Sequence, residues 1–191
     1  MLALCAGCGG NPKIRKLSAS SIIVAFGDSL TSGAGAGQDE SYPSVLSRMI
    51  GCRVVNAGES GEDTSTGLGR LPTVLGNERP DLVILCHGGN DMLRGQDPGL
   101  TISNLNAMIE MVKAAGADVI LIGVPKPALF LKPAPFYQEI ATKRGIPFDA
   151  KTVTRILSTP ALTSDPVHPN AGGYRQLAES INTLIGKSQG K

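Results

Sequence analysis

Short apolar runs rich in β-branched residues alternate with helix-like stretches along almost the whole chain, and this alternation limits the fold more than any other feature. SIIVAFGDS, CRVVNAG, DLVILCHGG and ADVILIGVP read as strands, and SYPSVLSRMIG, DTSTGLGRLPTVL, TISNLNAMIEMVKAAG and APFYQEIATKRG read as helices. A short IPFD run and a last helix from Ala171 to Gly186 complete the series. The runs near Ile22 and Leu82 are continuously apolar, as strands buried on both faces should be. Ser41 is placed to cap a helix that carries Pro43 in its first turn and stops at Gly51. Ile102, Leu105, Met108, Ile109 and Val112 fall on one helical face, closed by Gly116. Strands and helices in this order predict βαβ units and a parallel sheet. Right-handed crossovers then place helices on both faces, a three-layer α/β/α sandwich.

A chain of 191 residues suffices for one such domain with a full core. A net charge of +2 is too weak a bias to argue for nucleic acid or an anionic membrane as partner. No apolar run approaches the roughly 18–20 residues of a membrane span.

Sites on parallel sheets form beyond the carboxyl ends of the strands, near the point where strand order reverses. Residues that do chemistry should therefore follow the strands, and they do. Asp28 and Ser29 follow the first strand, Asn56 and GESGED the second, GGND with Asp91 the third, and DPVHPN precedes the last helix. Taken singly each cluster is weak, since a serine after a strand is ordinarily a turn or cap residue. The glycine-rich GAGAGQ does not fit a dinucleotide fingerprint, because its sixth position is Gln38, and no Walker phosphate loop is present. His168 follows Asp165 by three residues in a proline-flanked turn that can fold the carboxylate onto the imidazole. A carboxylate on one ring nitrogen leaves the other free as a general base. His87 has no acidic neighbour before it and reads as a packed residue at the end of its strand. Two histidines so far apart lack a third ligand, so no metal is expected. Asn90, after two glycines, could donate its amide to an oxyanion, and the backbone N–H of Gly61 could be a second donor.

Together, FGDSLTSG, NAGESGEDTSTGLGRL, HGGNDMLRG and DPVHPN resemble the four sequence blocks of the SGNH, or GDSL-type, hydrolases, in order and over about residues 22–186. The bacterial thioesterase, arylesterase and lysophospholipase branch is the most similar, through LRG after the third block and HPN in the last. The resemblance implies a central five-stranded parallel sheet in the order 2-1-3-4-5. It implies Ser29 as nucleophile, His168 as base and Asp165 as the residue that holds it. Ser29, Gly61 and Asn90 would form the oxyanion hole, and no cofactor is needed. The implied function is a serine esterase that cleaves carboxylic esters or thioesters through an acyl-enzyme. A carbohydrate O-acetyl esterase and a non-catalytic module that binds acylated ligands are the alternatives. The acidic residues in GESGEDTS, His87 and Pro166 depart from the family pattern and bear on substrate preference. Asp28 reads as a bracket for the turn, and Phe130, Leu131 and Phe136 as the lining of an acyl pocket.

The implied strand order puts Cys52 and Cys86 on opposite sides of the first strand. Two strand spacings amount to ~9.6 Å, and a disulfide needs Cα atoms within about 7 Å, so free thiols are expected. MLALCAGCGGNPK resembles the end of a secretory signal with a bacterial lipoprotein box centred on Cys8, although Cys5 stands where leucine is usual. Residues 1–19 are accordingly expected to be a signal remnant or tail, and residues 20–187 the hydrolase domain. The expected location is periplasmic or lipid-anchored, and otherwise cytoplasmic.

Overall fold

The computed structural model describes residues 12–126 and 131–189. Phe130, Cys5 and Cys8 lie outside that range. Four strands, β1 (Ile22–Gly27), β2 (Arg53–Gly58), β3 (Leu82–Cys86) and β4 (Asp118–Ile122), are followed by a two-residue ribbon of β5 (Pro125–Lys126) and β6 (Lys132–Pro133). The fifth strand of the main sheet is β7 (Phe148–Asp149). The order is β2-β1-β3-β4-β7, all parallel. Counting only strands of this sheet, that is the expected 2-1-3-4-5.

The continuous apolar runs have the burial they predict. Every residue of β3 is buried, and so is β1 after Ile22. Helices α2 (Tyr42–Ile50) and α8 (Ala171–Ser188) pack together, as do α3 (Thr64–Glu78) and α5 (Pro98–Ala114). Leu105, Met108, Ile109 and Val112 of α5 are fully buried, as their spacing requires. Ser41 occupies the cap position of α2, but its hydroxyl turns back to the Gln38 carbonyl and Ser44 Oγ. Helix α5 starts three residues before the expected Thr101 (Pro98), because Asp97 caps it through the Gly99 N–H at 2.9 Å. Helix α6 (Pro135–Arg144) follows the ribbon.

Two local results bear on the sequence reading. Cys52 and Cys86 are both buried and free. Residues 14 and 15 pack on the body: Ile14 is buried, its N–H donates to the Ser188 carbonyl, and Arg15 pairs with Asp118.

Candidate active site

Strand order reverses between β2 and β3, on either side of β1, where Gly27 lies level with Cys86. The chain leaves β1 directly into a short helix, α1 (Ser29–Ser32), with Asp28 as its cap. Asp28 Oδ1 accepts the Leu30 N–H at 3.0 Å, which fixes the turn and leaves Ser29 as the first helical residue. A first helical residue has no acceptor for its N–H within its own helix. Asp28 is buried, and burial pushes its carboxyl above the ordinary range against the pull of His87 and of the Leu30 and Gly89 N–H groups. Asp28 is the expected bracket of this turn.

His168 reaches Ser29 from the far end of the chain. Asp165 Oδ1 accepts the backbone N–H groups of Val167 and His168 at 2.8 and 2.9 Å. Its Oδ2 lies 2.7 Å from His168 Nδ1, and His168 Nε2 lies 3.0 Å from Ser29 Oγ. Thr163 bridges Pro169 across the turn, and Asn170 caps α8 two residues after His168. Burial works against charge on Asp165, but hydrogen bonds from the His168 ring and the Val167 N–H outweigh it and hold the carboxyl below its usual value. The carboxylate orients the ring, and the ring can accept the serine proton.

The polar groups opposite come from two further strand ends. Gly61 has φ 82°, a left-handed conformation suited to glycine, and its N–H finds no acceptor among the described residues. Asn90 lies in the first turn of α4 (Gly89–Leu93), and one of its amide N–H groups donates to the Glu62 carbonyl at 2.9 Å. Ser29, Gly61, Asn90 and His168 all border one cavity of about 320 Å³. Its apolar wall includes Leu30, Ala34, Leu93, Val124, Leu157 and Val167.

Of the three residues expected to line this wall, Leu131 does so. Phe136 does not: Pro135 begins α6, and Phe136 is already helical, its ring 4.4 Å from that of Tyr137 and packed on the core. The expected Phe130 is one of the residues outside the described range. The residues that do the lining were missed because they come from five separate segments, including α7 (Thr152–Leu157), which is too short for a periodic signal. Asp149 Oδ1 accepts the Lys151 and Thr152 N–H groups at 3.1 and 2.9 Å at the start of that helix.

A second polar cluster lies beneath Gly61. Arg70 grips Glu62 through Nε and Nη2 at 2.8 and 2.7 Å, and its guanidinium stacks 4.4 Å above the Phe26 ring. Glu62 Oε2 also faces His87 Nε2 at 3.2 Å. Burial would push the Glu62 carboxyl up, yet the hydrogen bonds from Arg70 and His87, with the Arg70 charge, bring it down to about 2. His87 is fully buried, as its place at a strand end suggested.

A serine, a histidine and a carboxylate aligned at the switch point of a doubly wound sheet define a serine hydrolase without the G-x-S-x-G elbow. The chain belongs to the GDSL-like lipase/acylhydrolase family, whose model matches residues 25–176. It is 34% identical to the esterase TesA of Pseudomonas aeruginosa, over 93% of this chain and 94% of that protein. It is 29% identical to the thioesterase 1/protease 1/lysophospholipase L1 of Escherichia coli K12, over 86% of this chain and 83% of the relative. A crystal structure of TesA superposes with a TM-score of 0.78 at 27% identity, covering 87% of this chain and 98% of that one. The chain is a serine esterase of this type.

Proposed function

We propose that Ser29 attacks the carbonyl of a carboxylic ester or thioester with a small to medium acyl chain. The observation that carries this reading is the Asp165–His168–Ser29 line, with spacings of 2.7 and 3.0 Å, opening onto an apolar cavity. His168 Nε2 takes the Ser29 proton as Oγ bonds to the carbonyl carbon. The negative charge on the carbonyl oxygen is met by the Ser29 and Gly61 N–H groups and the second N–H of the Asn90 amide. His168 then protonates the departing alcohol or thiol, leaving Ser29 acylated. Water, deprotonated by the same ring, releases the acid. Asp165 stays ionised throughout and holds the ring in register.

A cavity of about 320 Å³ is small for a ligand site and suits a limited acyl chain. The name of the Escherichia coli relative supports including thioesters. The test is a series of chromogenic esters and matched thioesters from acetyl upward, run beside acetylated sugars, with Ser29→Ala as control. Turnover that rises with the first added methylenes and then falls is the expected result. Preference for acetylated sugars over every alkanoyl ester would overturn the substrate reading. Lipidation at Cys8 is proposed separately, and the intact mass of the mature protein from a bacterial host tests it.

A further inference from the structure

We propose that His87 is a positioning residue that ties together the two chain segments supplying Gly61 and Asn90. The inference rests on the reading of Gly61 and Asn90 as oxyanion donors. His87 Nδ1 accepts the Gly88 N–H at 3.0 Å, so the ring proton sits on Nε2 and is donated to Glu62 Oε2 at 3.2 Å. Gly88 caps the helix that carries Asn90, and Glu62 directly follows Gly61. One imidazole therefore spans both donor segments. A second link runs parallel to it, from Asn90 Nδ2 to the Glu62 carbonyl at 2.9 Å.

The crossbar is itself held from three sides. The His87 carbonyl accepts the Tyr137 hydroxyl at 2.7 Å, Glu62 is clamped by Arg70, and Phe26 lies 6.0 Å from the ring. Helix α3 makes room for the ring only because residue 67 is glycine: a Cβ there would stand 2.4 Å from His87 Nε2. A ring held this closely sets the separation of the two donors, and small errors in that separation are costly when a transition state is being matched. Asp28 and Asp91, the other buried carboxylates nearby, do not hydrogen-bond the ring: Asp28 caps α1, and Asp91 accepts from Thr64 and Thr101.

The test is a double-mutant cycle of His87→Phe and Asn90→Ala on a short-chain ester, with thermal unfolding of each variant. Phenylalanine fills the space beside Phe26 but makes neither hydrogen bond. His87→Phe should lower kcat about ten-fold with KM within about two-fold. His87→Gln, which can both donate and accept, should recover most of that loss. In the Asn90→Ala background the same change should cost less than about two-fold, because its target is gone. Equal losses in both backgrounds, with Asn90→Ala itself impaired, would overturn the positioning role and leave the oxyanion reading standing. An unimpaired Asn90→Ala would overturn both. If His87→Phe does not fold, Glu62→Gln takes its place in the same cycle and is judged by the same criteria.

Discussion

His168 Nε2 sits 3.0 Å from Ser29 Oγ, although 139 residues separate them in the chain. The contact exists because two unrelated local devices point at one spot: a capped strand-to-helix turn presents the serine, and a three-residue carboxylate turn presents the ring. His168→Ala should therefore remove nearly all ester turnover at every pH, as should Ser29→Ala, since triad members act as a unit. Both variants should unfold at close to the wild-type temperature, because His168 and Ser29 are only partly buried. A His168→Ala enzyme retaining more than about a tenth of kcat would remove this residue from the reaction.

Asn90→Ala should lower kcat by roughly 10²–10³ with little change in KM, as expected for a donor that acts on developing charge. The Glu62 carbonyl would lose a hydrogen bond as well, so unfolding should be followed alongside the kinetics. A raised KM with kcat preserved would assign Asn90 to substrate binding instead.

Two glycines of one helix should respond oppositely to the same change. Gly69 faces open space, with nothing within 4 Å of an added Cβ, so Gly69→Ala should stabilise by about 0.5–1 kcal/mol through helix propensity. Gly67→Ala would drive a methyl group to 2.4 Å from His87 Nε2 and 3.1 Å from Glu62 Oε2, and should destabilise despite the same propensity gain. Thermal or urea unfolding decides the matter. A Gly67→Ala protein as stable as wild type would mean that the ring has room to move.

Acid should reveal Glu62. Its carboxyl is held at about 2 in the folded protein against an ordinary value of 4.5, so its stabilising effect is complete above the ordinary value and is lost as pH falls towards the depressed one. Glu62→Gln should be less stable than wild type at neutral pH, and the gap should close as pH is lowered through ~4 to ~2. A gap that stays constant with pH would show that the Glu62 charge contributes nothing.

The parallel sheet and the Asp165–His168 turn were legible because each left a local mark. Leu82–Cys86 is apolar at every position, and Asp165 precedes His168 at turn spacing. The order of the strands was not written locally and came from the family resemblance. The place of Phe136, away from the cavity that Ser29 borders, was not legible for a related reason. A run of prolines does not say where a helix begins, and the one that begins at Pro135 carries this ring onto Tyr137. The Glu62–Arg70–His87 cluster joins three segments whose pairing no spacing rule encodes. Only the excess acidic residues after Gly61 and the unexpected histidine before Gly88 hinted at it.

The contacts of Ile14, Arg15 and Leu17 have a consequence for how the enzyme can be presented to its surroundings. Arg15 meets Asp118 at the entry to β4, while Ile14 and Leu17 reach Ser188 and Gln189 at the end of α8. The first and last described segments thus lie side by side, at the amino ends of the strands, whereas Ser29 lies at the carboxyl ends. A fused domain or a solid support joined at residue 14 or 189 would attach on the side opposite the one where Ser29 opens. Substrate would then arrive from the bulk phase, and a link between residues 14 and 188 would span only a short gap.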